Sequence, residues 1–175
     1  MKILLKIPEP IYRPLHTHLV PDKFSIEEAA FAYARIVDAE GTISFECFEW
    51  MPILNEGFVQ RSSANLELAD ETKALAIKRA HDLQASIIEF HSHTGSWPAS
   101  FSPSDVYGFQ ELVPHVWWRL KGRPYAAVVF SKSGLDGFAW ITDPYEPQQL
   151  DGIVVGKAFY ASTGLSLREE KFNYE

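Results

Sequence analysis

The sequence has little cysteine, little positive charge and no long apolar run. Cys47 is the only cysteine, so neither an intrachain disulfide nor a multi-cysteine zinc cage can form. Lys and Arg total 16 against 23 Asp and Glu, a formal charge of −7 that argues against a nonspecific grip on nucleic acid. No uncharged apolar stretch reaches the roughly 18 residues of a membrane span, and the apolar N-terminal run is too short for a signal peptide. We expect a cytoplasmic protein that binds neither nucleic acid nor a membrane.

The sequence has the size and the apolar content of one folded domain. It comprises 175 residues, of which 46% are hydrophobic. No repeat, low-complexity tract or long linker divides it. We therefore expect residues 1–175 to form a single domain.

The N-terminal third predicts one strand, irregular chain, a helix and two further strands. Prolines recur through the first two dozen residues, which favours a strand followed by irregular chain. We expect His16 and His18 in this stretch to be surface or loop residues. Ser25 has the character of an N-cap, and the apolar spacing of residues 26–37 predicts the first helix. Alternating residues after this helix predict strands at residues 42–50 and, more weakly, at 62–68.

The rest of the sequence predicts two helices and four strands. The helices are expected at residues 70–83 and 104–120, with Pro114 ending or kinking the second. The strands are expected at residues 86–91, 125–131, 137–142 and 152–160. Because the strands mostly follow one another in pairs, the prediction is an α/β chain of the α+β type, with a mixed, largely antiparallel central sheet flanked by helices. We assign Cys47 and Trp117, Trp118 and Trp140 to the core.

Two histidines and an aspartate carry the clearest chemical signal. His91 and His93 stand at the end of a predicted strand, where alternate side chains point to the same face. Asp105 follows at the start of the next helix, from where a folded loop can bring its carboxylate to the histidines. Two imidazoles and one carboxylate form a three-ligand zinc site with a fourth position open to water.

Simpler readings of the same residues also stand. A His-x-His pair on a strand is more often structural than metal-binding, and His16 and His18 show the same spacing without a downstream aspartate. Ser102 and Asp105 have the spacing of an ordinary helix cap, with Pro103 between them at the first helical position. The combination of all these residues is what points to a site.

This combination resembles the JAMM (MPN+, JAB1/MPN/Mov34) metalloproteases. Their motif is an upstream Glu, then His-x-His, about seven residues, and Ser-x-x-Asp. His91-Ser92-His93 and Ser102-Pro103-Ser104-Asp105 match its two halves, with eight intervening residues and Thr94 in place of a common proline. The resemblance implies the MPN fold, which is related to cytidine deaminases, with Zn²⁺ held by His91, His93 and Asp105 and with Ser102 stabilising the oxyanion.

The upstream Glu of the motif has two candidates in this sequence. If Ser25 caps the first helix, Glu28 completes a capping box with it, whereas Glu27 shares an apolar face that raises the pKa of a carboxyl. The family pattern of small residues three and seven positions later also favours Glu27, through Ala30 and Ala34. We favour Glu27 as the catalytic acid and base and keep Glu28 as the alternative.

The resemblance also implies a substrate class. JAMM enzymes hydrolyse the amide bond that follows the C-terminal tail of ubiquitin or a ubiquitin-like protein. A compact chain of this kind looks most like the prokaryotic JAB proteins that accompany E1-like, E2-like and ubiquitin-like partners, some of them in bacterial antiphage systems. The alternatives are a catalytically silent MPN scaffold that binds partners and a zinc amidohydrolase acting on a small-molecule amide.

Two more residues near the motif have open assignments. Trp97 either walls a substrate groove or packs beneath its own loop. Glu89 lies on the same strand face as His91 and either orients that ligand or faces solvent or a helix. The sequence alone does not choose between these roles.

Overall fold

A computed structural model describes residues 1–168 as four α-helices and eleven strands. The helices are α1 (Glu9–Leu19), α2 (Asp70–Leu83), α3 (Pro103–Arg119) and α4 (Leu165–Arg168). The strands are β1 (Lys2–Lys6), β2 (Ala29–Ala39), β3 (Thr42–Pro52), β4 (Phe58–Arg61), β5 (Leu66–Leu68), β6 (Ser86–Ser92), β7 (Tyr125–Phe130), β8 (Leu135–Trp140), β9 (Gln148–Gln149), β10 (Gly152–Val155) and β11 (Ala158–Ala161). A 3₁₀ turn at Asn55–Gly57 precedes β4.

Nine strands form one mixed sheet in the order β11-β10-β1-β3-β2-β6-β7-β8-β9, and β4 and β5 form a separate hairpin. The pairs β1–β10, β1–β3 and β6–β7 are parallel, and the other five pairs of the large sheet are antiparallel. The predicted class, a largely antiparallel sheet flanked by helices, is confirmed.

The large sheet separates two apolar layers. Residues of α1 pack in one layer, and residues of α2 and α3 pack in the other. In β2 the odd-numbered Ala29, Phe31 and Tyr33 face the α2–α3 layer, whereas the even-numbered alanines 30, 32 and 34 face the α1 layer. Alternation in side-chain direction thus gives this one strand a bulky face and a small face.

The predicted first helix at residues 26–37 is wrong, because Ala29–Ala39 is strand β2. Residues 29–34 are all buried, since they lie in the middle of the sheet with a layer on each side. A strand buried on both faces has a continuous apolar run, which helix-like spacing also fits. Ser25 therefore caps no helix, and the proposed capping box with Glu28 does not form.

The irregular chain predicted near the N-terminus is also wrong after β1. Glu9–Leu19 is helix α1, which contains Pro14 and has Pro10 in its first turn. Its buried Leu15 and Leu19 pack in the α1 layer. His16 and His18, expected at the surface or in a loop, therefore lie half-buried on a helix.

Several C-terminal predictions need smaller corrections. Helix α2 has the predicted bounds, and α3 continues past Pro114 to Arg119. The single strand predicted at 152–160 is the hairpin of β10 and β11, which turns at Gly156 with a positive φ. Trp140 is buried and Trp117 packs partly against the core, but Trp118 is 74% exposed and does not belong to the core.

Candidate metal centre

Strand β6 delivers the two histidines. It is a central strand between β2 and β7, so its backbone is held on both sides. Ile87 of β6 belongs to the α2–α3 layer, and His91 has the same parity along the strand. His93 follows just beyond the end of β6, where its N–H donates to the carbonyl of Phe130. Both imidazoles therefore point to the α2–α3 side.

The start of helix α3 delivers the aspartate. Ser102 Oγ accepts from the backbone N–H of Asp105 at 3.1 Å, and Asp105 Oδ2 accepts from the backbone N–H of Ser102 at 2.8 Å. This is a complete capping box with Pro103 in the first turn, as the capping interpretation predicts. The cap fixes the direction of the Asp105 carboxylate, and that direction is toward the histidines.

His91, His93 and Asp105 meet at one point. His91 Nε2 lies 3.1 Å from His93 Nε2, and Asp105 Oδ2 lies 3.2 Å and 3.1 Å from these two nitrogens. Donor atoms of a tetrahedral zinc site with bonds of about 2.0 Å are separated by roughly 3.3 Å. The spacing and the chemistry of this donor set fit a zinc ion, so the group could hold a metal.

The charges of the three residues are strongly coupled. Burial lowers the pKa of His91, but the carboxylate of Asp105 outweighs it and raises that pKa to about 9. Burial raises the pKa of Asp105, but His91 and His93 outweigh it and hold that pKa far below its usual range. Without a metal, these opposite shifts favour a protonated His91 beside an ionised Asp105.

Strand pairing places Glu27 beside this group. Ala29 pairs with His91 in the antiparallel β2–β6 register, and continuing that register sets Glu28 opposite Ser92 and Glu27 opposite His93. Glu27 is 7% exposed, and its N–H donates to the carbonyl of Ser62. Burial raises the pKa of the Glu27 carboxyl, while the nearby histidines lower it.

Glu28 points away from the three residues. It has the opposite parity along the chain, and its carboxylate pairs with Arg61 at 2.5 Å and lies 3.9 Å from His18 Nε2 of α1. Its backbone is held by Ser92, whose N–H donates to the Glu28 carbonyl at 3.0 Å and whose Oγ accepts from the Glu28 N–H at 3.1 Å. Of the two candidate glutamates, the structure brings Glu27 to the histidines and holds Glu28 outside.

A groove of about 1110 Å³ opens over the site. Glu27, His91, His93, Ser102 and Asp105 all line it. The β4–β5 hairpin forms one wall, and α2 as far as Ile77 and α3 as far as His115 form others. Thr94 Oγ1 donates to the carbonyl of Ser63 and so joins the loop after His93 to this hairpin.

The two open assignments near the motif are resolved in part. Trp97 is 80% exposed and lines the groove, so it does not pack beneath its loop. Glu89 also lines the groove, and its carboxylate accepts a hydrogen bond from the hydroxyl of Tyr125. Burial raises the pKa of Glu89, and the bond from Tyr125 opposes that rise.

Sequence reasoning missed the hairpin and Arg61. Residues 63–68 line the groove, but the weak alternation there predicts only a strand. Arg61 lies 33 residues from Glu28 in sequence, and no local pattern indicates the pair. Only the folding of β4 beside the start of β2 brings them together.

No known family model matches the chain, and no curated protein matches it either. Among the described residues, no helix is both long enough and apolar enough to cross a membrane.

Proposed function

We propose that this protein is a zinc-dependent isopeptidase of the JAMM type, acting in the cytoplasm on the amide bond after the tail of a ubiquitin-like protein. One observation carries the proposal: Glu27, Ser102 and the His91–His93–Asp105 group line a single groove. A purely structural metal site needs neither a buried carboxyl group nor an accessible hydroxyl group beside its ligands. Their joint presence favours hydrolysis over structural metal binding.

Separate residues would bind the metal and transfer the proton during hydrolysis. His91, His93 and Asp105 would hold Zn²⁺, which supplies a Lewis acid that polarises the scissile carbonyl and acidifies water. Glu27 takes a proton from the attacking water and returns it to the leaving amine, a role favoured by the raised pKa of its carboxyl.

Ser102 is suited to stabilise the developing oxyanion. In the cap its Oγ accepts a hydrogen bond from the Asp105 N–H, so its own hydrogen remains available for donation. The same side chain lines the groove. One hydrogen bond of this kind typically contributes about 3 kcal/mol to the transition state.

The strand that lines the groove favours an extended peptide over a compact small molecule. Three consecutive residues of β5, Leu66–Leu68, line it, and β5 pairs only with β4 among the described strands. The unpaired edge of such a strand offers backbone groups to an extended tail. We propose a ubiquitin-like tail as that ligand, with E1-like and E2-like proteins as pathway partners and bacterial antiphage conjugation as one setting.

Metal content and cleavage together test the proposal. The protein is purified without chelator or histidine tag, its zinc is measured by elemental mass spectrometry, and it is then assayed on ubiquitin-like fusions and on a dipeptide-like amide. We expect near one zinc per chain and cleavage of the fusions only. Lack of metal after zinc is offered would leave the silent scaffold, and turnover of the small amide alone would leave the amidohydrolase.

A further inference from the structure

A buried carboxylate on β8, two strands across the sheet from His91, organises the segment that follows β11. Asp136 of β8 is fully buried, and its two oxygens accept five hydrogen bonds. Three of the five come from the segment itself: the N–H of Gly164 at 3.1 Å, and the N–H and hydroxyl of Ser166 at 3.0 Å and 2.5 Å. Gly164 has a φ of +67°, which lets the chain turn around the carboxylate.

The same segment grips the loop that leads into α3. Thr163 Oγ1 donates to the carbonyl of Ala99 at 2.6 Å, and Ser166 Oγ accepts from the N–H of Phe101 at 2.8 Å. Because the single hydroxyl hydrogen of Ser166 goes to Asp136, its oxygen is oriented to accept from Phe101. The loop backbone is thus held on both sides of residue 100.

The gripped residues adjoin the proposed catalytic group. Phe101 immediately precedes Ser102, and its fully buried ring lies 5.8 Å from the ring of His91. Ala99 is 1% exposed. A shift of the backbone at these residues would move Ser102 and, through the cap, Asp105.

We infer that residues 163–166, anchored by Asp136, form a clasp that positions Ser102 and Asp105 for the reaction. Asp136 and residues 163–166 are not among the residues that line the groove, and the hydrogen bonds described above lead to the backbone at Ala99 and Phe101, so they are positioning residues. The inference rests on the proposed function, because it assigns the clasp a role in that chemistry. The segment after β11 would then help to position the site as well as pack against the fold.

The Thr163 side chain offers a matched pair of variants. Thr163→Ser keeps the hydroxyl, whereas Thr163→Val keeps the shape and removes the donor to Ala99. Ser166→Ala removes both the acceptor for Phe101 and the hydroxyl donor to Asp136, and keeps the backbone N–H that donates to Asp136. Ile153→Val, in the α1 layer, serves as a control for general loss of stability.

The readouts are zinc affinity by chelator competition and the separate values of kcat and KM on a fusion substrate. We expect Thr163→Val and Ser166→Ala to weaken zinc binding by roughly tenfold and to lower kcat by roughly ten- to a hundredfold. KM should change by less than about twofold, and Thr163→Ser and Ile153→Val should match wild type.

Each outcome bears on one hypothesis. The clasp is overturned if wild type binds zinc and cleaves the fusion, and Thr163→Val and Ser166→Ala have the same zinc affinity and the same kcat as wild type. The clasp is also overturned if Thr163→Val and Thr163→Ser lose equal amounts of zinc affinity and kcat. The same holds if Ile153→Val, at a melting temperature similar to that of the clasp variants, loses as much zinc affinity and kcat as they do. Wild-type protein that binds no zinc overturns the proposed function instead. If Ser166→Ala fails to fold, the Thr163 pair decides alone.

Discussion

Ser92 and Glu28 are bonded to each other through both the backbone N–H and the backbone carbonyl of Glu28. This joint ties the chain that carries Glu27 to the strand end that carries His91 and His93. The residue between the two histidines therefore sets the distance between the proposed proton shuttle and the proposed metal ligands.

Replacing Ser92 by Ala should loosen that joint. We expect a loss of about 1–2 kcal/mol in unfolding free energy, since the partly buried Glu28 N–H loses its acceptor. We expect kcat to fall roughly tenfold because Glu27 is less well placed. Denaturant titration and steady-state kinetics measure the two effects.

Ser86→Ala is the matched control on the same strand. Ser86 is also buried, but its hydroxyl has no hydrogen-bond partner among the described residues. Its removal should leave stability unchanged or raise it, because a buried hydroxyl without a partner loses its hydration and gains no hydrogen bond in return. If Ser92→Ala and Ser86→Ala have the same kcat, the bonds between Ser92 and Glu28 do not position Glu27.

Glu27 and Glu28 should differ sharply as glutamine variants. Glu27→Gln removes the proton acceptor and should lower kcat by roughly 10²- to 10⁴-fold while the zinc content stays the same. Glu28→Gln weakens the pair with Arg61 and should leave kcat within about tenfold of wild type. A larger loss in Glu28→Gln than in Glu27→Gln would contradict the assignment.

Ser102 and Asp105 share one cap but should separate in function. Ser102→Ala should cost about 1 kcal/mol of stability through the lost cap and lower kcat by roughly 10²- to 10³-fold, with zinc retained. Asp105→Asn keeps an oxygen for the Ser102 N–H and should instead lose zinc. Zinc content and melting temperature, measured for both variants, distinguish these two effects. Loss of zinc in Ser102→Ala would contradict the assignment of Ser102 to the oxyanion and Asp105 to the metal.

Metal-free protein should show a specific dependence of stability on pH. The pKa of His91 is raised in the fold, so its contribution is complete below its ordinary value of 6.5 and is lost as pH rises through about 9. The pKa of Asp105 is lowered, so its contribution is complete above its ordinary value of 3.8 and is lost as pH falls. We expect the melting temperature in chelator to fall by roughly 3 °C or more between pH 6.5 and 9.

Replacing His91 by Asn removes this titration and should flatten that part of the pH profile. Zinc should raise the melting temperature of wild type most at the upper end of the range, where the proton no longer competes for the site. A wild-type profile as flat as that of His91→Asn would show that the pair with Asp105 does not form.

The sequence by itself determined the elements whose signals are local. Helix α2 has the bounds that its apolar spacing predicts, and β6 ends one residue beyond its predicted end. The cap of Ser102 and Asp105 follows from residue types three positions apart. Local chemistry is enough there, because the interacting groups are neighbours in the chain.

Tertiary structure decided what depends on burial and on distant partners. Residues 29–39 have helical spacing but form β2, since a layer on each face of the sheet makes consecutive residues apolar. Glu27 comes near the histidines because it precedes β2, which pairs with β6, and not because it lies on a helix face. Segments far apart in sequence meet in the groove wall at residues 63–68 and in the clasp at Asp136. Local sequence patterns cannot predict such contacts.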